Sequence, residues 1–399
     1  MTSAASPAVR LVVPEPAEVA NADVVLDATQ EAAVAASLEG DVTLVVGAPG
    51  TGRTTVATTA AVRAMRGEDG APGIDPSRVL VLAASRRSAA RLRDEVTARA
   101  GRTVGAPMVR TPASAAFAVL RARAAAHGDA VPTLVSGPEQ DLVLAELLEG
   151  HLSGEGTDLV LPAGLPEESL GLRGLRQELR DLLMRAAERG LGPVELDELG
   201  RRHDRPEWVL AAQLYEEYLD VTTLRLGTPD AGARYDPAGV IDEAAHALAG
   251  WDDELPDVPR PSWDLVVVDD YQEATVATAR LLHVLHDAGA RLVLLADPDS
   301  AVQGFRGASP GLVGRAAAPA RAGVVGAFDA RTVVLGTAWR QPEGLRAVTR
   351  AVTSRIATVS GALHRGAGLR PEADADPGAV DGDGRARAGA YDPAEDDGA

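Results

Sequence analysis

Short runs of β-branched and aliphatic residues recur along the chain, at Val42–Val46, Val79–Leu82, Leu265–Val268, Leu292–Leu295 and Thr332–Leu335. They are nearly continuous rather than alternating, as in strands covered on both faces, and each ends in a polar or glycine-rich turn. Helix-like stretches follow several of them, such as Ser88–Ala98 and Ala277–His286. Strand and helix in alternation predict a parallel sheet with helices on both faces, an α/β fold.

Between about residues 115 and 249 the strand runs nearly vanish. Gln140–Glu149, Leu175–Arg189, Glu207–Leu219 and Ala238–Ala249 read as helices separated by Gly/Pro turns. The pattern predicts an all-helical subdomain over 116–249, inserted into an α/β domain made of 21–115 and 250–315. Residues 1–20 read as an N-terminal tail. Beyond 365 the chain becomes Gly, Ala, Asp and Pro without periodicity, which predicts a disordered acidic tail over 366–399.

Length and composition narrow the functional classes. The 399 residues suffice for two or three domains, since one core rarely serves more than about 250. Aromatic residues are only 3%, so the core must be built from Ala, Val and Leu. There is no cysteine, hence no disulfide, thiolate metal site or cysteine nucleophile. No apolar run approaches the ~20 residues of a membrane helix, and no signal-peptide pattern opens the chain; a cytoplasmic protein is expected. The net charge of −19 argues against a nucleic-acid partner at first sight. From 366 to 399, however, nine Asp/Glu stand against three Arg, so the tail supplies six of those charges. Net charge governs steering and solubility, and leaves room for a locally basic face.

The strongest local motif is Gly47-Ala48-Pro49-Gly50-Thr51-Gly52-Arg53-Thr54-Thr55, between a strand and a helix. Glycines there let successive N–H groups turn inward around phosphate oxygens, and the helix N-terminus adds partial positive charge. Thr54 stands where a hydroxyl would bind Mg²⁺. Arg53 replaces the lysine of the pattern G-x-x-x-x-G-K-[ST], and the chain contains no lysine at all: its 39 basic residues are all Arg. Arginine keeps the charge, but its planar fork cannot take the place of a compact ammonium without shifting the phosphates. Nucleotide binding is expected to be weakened or altered, and hydrolysis to suffer more.

Further motifs follow in order. Leu265–Val268 leads into Asp269, Asp270 and Gln272; an apolar strand ending in two carboxylates suits a Mg²⁺ partner and a water-activating base. Asp297, Ser300, Gln303, Phe305 and Arg306 lie after the next strand, and Trp339-Arg340 after the last. With Gln30 upstream of the loop, Arg86 and Arg87 after the second strand, and Ser114 in Thr111–Ser114, this series resembles the UvrD/Rep family of superfamily 1 DNA helicases from about Leu26 to Arg365. The stretches beginning at Gly137 and Glu178 resemble, more narrowly, the AdnA-type subunit of an actinobacterial helicase–nuclease.

The resemblance implies a RecA-like ATP-binding domain, with 325–365 as the truncated start of a second one. It implies ATP and Mg²⁺ as cofactors: Gln30 would read adenine, residues 47–55 would hold phosphates, and Thr54 and Asp269 would hold the metal. Asp270 would be the general base, one methylene shorter than the family's Glu. Gln272 would couple the phosphate site to DNA, and Arg340 would reach the γ-phosphate from the second domain. Single-stranded or duplex DNA would contact Arg86, Arg87, Ser114, Phe305 and Arg306. Ser300 and Gln303 depart from the family's Gln and Tyr, so the ATP-handling end of that stretch is eroded while the DNA-handling end is kept. Two functions compete: an ATP-driven 3′–5′ DNA translocase, and a non-hydrolysing DNA-binding motor-like subunit beside a catalytic partner.

Overall fold

The computed structural model describes residues 24–67, 72–100, 108–224, 232–237, 239–304, 307–321, 323–357 and 361–369. The chain begins with helix α1 (Ala28–Glu39), strand β1 (Val42–Val46) and helix α2 (Arg53–Arg66). β2 (Val79–Leu82), α3 (Arg86–Ala100), the two-residue β3 (Val109–Arg110) and α4 (Pro112–His127) follow. A helical region then runs from β4 (Thr133–Leu134) through α5 (Gly137–Leu152), α6 (Arg173–Glu188), α7 (Pro193–Arg202) and α8 (Pro206–Leu224) to β5 (Arg234–Tyr235). The chain returns through α9 (Val240–Ala249), α10 (Trp251–Glu254), β6 (Leu265–Val268), α11 (Val276–Asp287), β7 (Arg291–Ala296), α12 (Gly311–Ala316) and β8 (Arg331–Val334). It closes with β9 (Thr337–Ala338), α13 (Glu343–Thr353) and β10 (Gly368–Leu369).

Six strands form one parallel sheet in the order β3-β2-β6-β7-β1-β8. The expected α/β architecture, a RecA-like parallel sheet between two helical layers, is what the chain adopts. Along the strands alternate residues feed opposite layers. Leu44, Val46, Leu80, Leu82, Val266, Val268, Leu292 and Leu294 pack with α4, α9, α11 and Trp251 on one face. Val45, Val79, Val81, Leu265, Val267, Val293 and Leu295 pack with α1, α2 and α3 on the other. Fully burying such side chains contributes roughly 1.5–3 kcal/mol each, which offsets the small aromatic content.

Two boundaries differ from the sequence reading. The insert has its own core, from Val143, Leu144 and Leu148 through Leu179 and Leu183 to Tyr215 and Tyr218. However, α4 and α9, both within 116–249, bury Ala116, Val119, Leu120, Ala244 and Leu248 against the sheet, not in the insert. Helical periodicity marks a buried face without saying which core receives it. Likewise β8, assigned with 325–365 to the opening of a second RecA-like domain, pairs with β1 from Thr43↔Arg331 to Val46↔Val334 and completes the first sheet. The tails expected at 1–20 and 366–399 lie outside the described residues, except 366–369 at the start of the latter. Among the described residues no helix is long and apolar enough to cross a membrane.

Candidate functional site

All strands of the sheet point the same way, so the residues after β1, β2, β6 and β7 gather at one edge, where open α/β sheets bind ligands. The loop after β1 turns tightly because Gly52 takes φ 85, a left-handed conformation open to glycine, and a Cβ there would lie 2.4 Å from Gln30 Nε2. Gly47 is required for space instead, since a Cβ would meet Thr51 Oγ1 at 2.3 Å. Thr51 N–H and Oγ1–H both donate to the Ala48 carbonyl, at 3.2 and 2.9 Å. Pro49 and Gly50 form the half-buried tip, and Thr55 continues the first turn of α2.

Arg53 folds back into this loop. Its Nη1 donates to the carbonyls of Gly47 and, at 3.2 Å, Ala48. The same nitrogen lies 3.2 Å from Asp297 Oδ2, and Nη2 lies 3.8 Å from Asp270 Oδ1. Nε is buried with no hydrogen-bond partner among the described residues. The guanidinium is thus held by backbone oxygens and two carboxylates.

Thr54 Oγ1 donates to Asp269 Oδ2 at 3.1 Å, joining residues 215 apart in sequence. Asp269 is 6% exposed, and its Oδ1 is buried without a hydrogen-bond partner. Burial first, and the neighbouring Asp270 charge second, push its carboxyl up to about 6; the Thr54 hydroxyl and Arg53 only partly counter this. An orphaned carboxylate oxygen beside a hydroxyl, away from thiols and imidazoles, is a hard-oxygen donor set that fits Mg²⁺.

Asp270 sits at φ 56, a strained left-handed position for a non-glycine residue. Gln272, 2% exposed, steadies it: Nε2 donates to Asp270 Oδ1 at 3.0 Å, while Oε1 accepts the Asp297 N–H at 3.0 Å. One amide therefore ties the end of β6 to the end of β7. Gln30 Nε2 donates to the Thr51 carbonyl at 3.0 Å, and its Oε1 accepts the Asp27 N–H at 3.0 Å. Its amide braces the loop from behind.

Arg340 is exposed, and its backbone rides over the loop: Trp339 N–H donates to the Gly50 carbonyl at 2.9 Å. The Trp339 indole donates to Asp27 Oδ2 at 2.9 Å. Burial raises the Asp27 carboxyl, but hydrogen bonds from Thr29, Gln30 and Trp339 outweigh it and leave the pKa lowered. Arg340 follows β9, which pairs with β10 outside the six-stranded sheet, and Trp339 brings its backbone beside Gly50.

Arg86 and Arg87 are exposed at the start of α3. Ser114 is exposed in the first turn of α4, its N–H donating to the Thr111 cap at 3.3 Å. Phe305 and Arg306 lie outside the described residues. A cleft of about 300 Å³ opens beside the carboxylates, lined by Ala84, Thr111, Asp269, Asp270, Glu273 and Gln303 among others. Glu273, which motif reading passed over, accepts the N–H groups of Val302 and Gln303 at 2.8 and 2.9 Å. It fixes the loop that leads to Phe305. Asp297 lies in the motif after β7, but its link through Asp299 to His364 and Arg365 was not legible, because those partners are about 65 positions away.

None of the curated proteins compared matches this chain. The sequence profile of the UvrD/REP helicase N-terminal domain covers residues 26–319. That span contains the phosphate loop, both carboxylates of β6 and the loop after β7, and it covers most of the chain. The protein therefore belongs to the UvrD/Rep DNA helicase family, of which it carries the N-terminal domain.

Proposed function

We propose that the chain binds ATP with Mg²⁺ at the loop 47–55 and DNA along the same edge of the sheet, as a helicase motor domain with impaired hydrolysis. The observation that carries this reading is the seat of Arg53: its guanidinium sits in the phosphate loop among the carbonyls of Gly47 and Ala48 and the carboxylate of Asp297. Thr54 and Asp269 would hold Mg²⁺, which supplies charge neutralisation to the phosphates. The N–H groups of the loop and the start of α2 would hold the phosphates. Asp270 would orient water, Arg340 would supply positive charge from above Gly50, and Gln272 would relay changes between the ends of β6 and β7. Arg86, Arg87, Ser114, Phe305 and Arg306 would take the DNA, with Phe305 stacking on a base at about 1–3 kcal/mol.

A second reading, a DNA-binding subunit without turnover beside a catalytic partner in a helicase–nuclease, is favoured by one contact. Arg53 pairs with Asp270, the carboxylate that would have to accept a proton from water. The 3′–5′ polarity follows from the family resemblance and belongs to the first reading; the DNA-repair role belongs to the helicase–nuclease of the second. Titration with a fluorescent ATP analogue and Mg²⁺, comparing the parent with Arg53→Lys and Arg53→Ala, tests nucleotide binding. Saturable binding abolished by Arg53→Ala supports it; no binding by the parent or by Arg53→Lys rejects it. DNA-stimulated hydrolysis by the parent at a rate equal to Arg53→Lys would reject the impaired-hydrolysis part alone.

A further inference from the structure

Behind the phosphate loop, the aspartates after β7 join a chain of charges that runs on to His364 and Arg365. Asp297 is 0% exposed. Its carboxylate receives Arg53 Nη1 at 3.2 Å, the Ser300 hydroxyl, and the Asp299 N–H at 3.1 Å. Two residues on, Asp299 receives Arg365 through Nε at 2.8 Å and Nη2 at 2.6 Å, and His364 Nε2 at 2.8 Å. The His364 nitrogen also lies 3.8 Å from Asp297 Oδ1. His364 and Arg365 come from a short segment after α13, held by the buried Arg346, which donates to the carbonyls of Arg365 and Ala367 at 2.9 Å. The segment is tied to the loop at a second point: Gly368 N–H donates to Gly336 at 2.7 Å, and the strand after Gly336 leads to Trp339 on Gly50.

Asp297, Asp299 and His364 are close enough together to suggest a metal cluster, with ligand atoms within 4.8 Å. Both carboxylates are already matched by an arginine, however, so the grouping reads as an ion-pair chain. A buried carboxylate needs a counter-charge or several donors. Arg53 supplies that charge to Asp297. Should a phosphate draw the guanidinium away, Asp297 keeps the Ser300 hydroxyl and the Asp299 N–H, with His364 Nε2 3.8 Å away and the guanidinium groups of Arg365 and Arg346 behind it.

We propose that His364 and Arg365 are positioning residues for Arg53, acting through Asp299 and Asp297. By balancing the two carboxylates they set how firmly Asp297 retains the guanidinium, and so how readily Arg53 turns to a nucleotide phosphate. Coupling is reciprocal, so a bound nucleotide also tightens the segment that carries them. This inference rests on the nucleotide-binding reading above.

The test uses the full chain, a fluorescent ATP analogue and Mg²⁺, with Arg365→Gln, Arg365→Lys, Asp297→Asn and the Asp297→Asn/Arg365→Gln pair. Arg365→Gln is expected to raise Kd by about tenfold, within the usual range of such couplings, and Arg365→Lys to recover part of the loss. In the Asp297→Asn background the same exchange should have little effect on Kd, because the carboxylate that links Arg53 to Asp299 and its partners is gone. A readout on the unaltered protein stands beside these: saturating nucleotide should slow hydrogen exchange at the Gly368 amide. An unchanged Kd in Arg365→Gln, an equal loss in both backgrounds, or unchanged exchange at Gly368 would overturn the proposal while leaving nucleotide binding intact. Failure of the unaltered chain to bind the analogue would instead overturn the nucleotide reading, and this inference with it.

Discussion

Replacing Asp269 with Asn should stabilise the metal-free protein at neutral pH, and the gain should vanish in acid. Burial, reinforced by the adjacent Asp270 charge, raises the Asp269 carboxyl from 3.8 to about 6. A shift of roughly two units at ~1.36 kcal/mol each puts a penalty of about 3 kcal/mol on the ionised form. Below pH 3.8 the group is protonated in folded and unfolded chains alike, and no penalty operates. As pH rises toward 6 the unfolded chain releases its proton before the folded one does, so stability falls until both are ionised. Asp269→Asn removes this dependence. Urea unfolding with chelator present, from about pH 4 to pH 7.5, should show the variant gaining about 3 kcal/mol relative to the parent across the range. Adding Mg²⁺ with nucleotide should stabilise the parent more than the variant, because only the parent offers the metal a carboxylate at this position. A difference between the two proteins that is flat with pH would refute the reasoning, as would equal stabilisation of both by Mg²⁺.

Further outcomes follow from single contacts. His283 accepts the Gly326 N–H at 3.0 Å and stacks on Phe328, and burial holds its pKa below 6.5, so stability should fall as pH drops below 6.5; thermal unfolding of His283→Gln should show a weaker acid loss. Phe328→Ala removes that ring from a buried position and should cost about 3–5 kcal/mol in chemical denaturation. Glu273→Ala frees the Val302 and Gln303 amides, so DNA affinity should fall in a fluorescence anisotropy titration while nucleotide affinity holds. Gly52→Ala combines a strained φ with a contact against Gln30, and should weaken nucleotide binding by an order of magnitude or more in the analogue titration.

The sheet was legible wherever a strand is long enough to leave an apolar run, as at Leu265–Val268. β3 is only Val109–Arg110, too short for any periodicity, and was missed. The membership of β8 could not be read either, because the register Thr43↔Arg331 is set by pairing across most of the chain. The same division holds at the site. Thr54, Asp269 and Gln272 stood out because strand, turn and polar residue are adjacent in sequence. His364 did not, since it meets Asp299 across 65 positions and has no local signature. Gln30 was legible as a residue but not in its contacts: both ends of its amide are engaged with Thr51 and Asp27.

The exchange at Arg53 is best understood through what a longer, flatter cation does in a loop shaped by glycines. An ammonium presents one compact charge, whereas a guanidinium spreads five N–H donors over a plane and seeks several acceptors at once. In this loop it finds them in Gly47, Ala48, Asp297 and Asp270. At an effective dielectric near 20 the 3.2 Å pair with Asp297 is worth about 5 kcal/mol of gross attraction, before the desolvation of either group is subtracted. A triphosphate bearing several charges and its own Mg²⁺ can outcompete one carboxylate, but it must also recover the two carbonyl contacts that Arg53 leaves. Hydrolysis asks for more, since Asp270 would have to be released to orient water while Arg53 stays close enough to stabilise the phosphate. Binding and turnover therefore respond differently to the same side chain, and Arg53→Lys should raise turnover by a larger factor than it raises affinity.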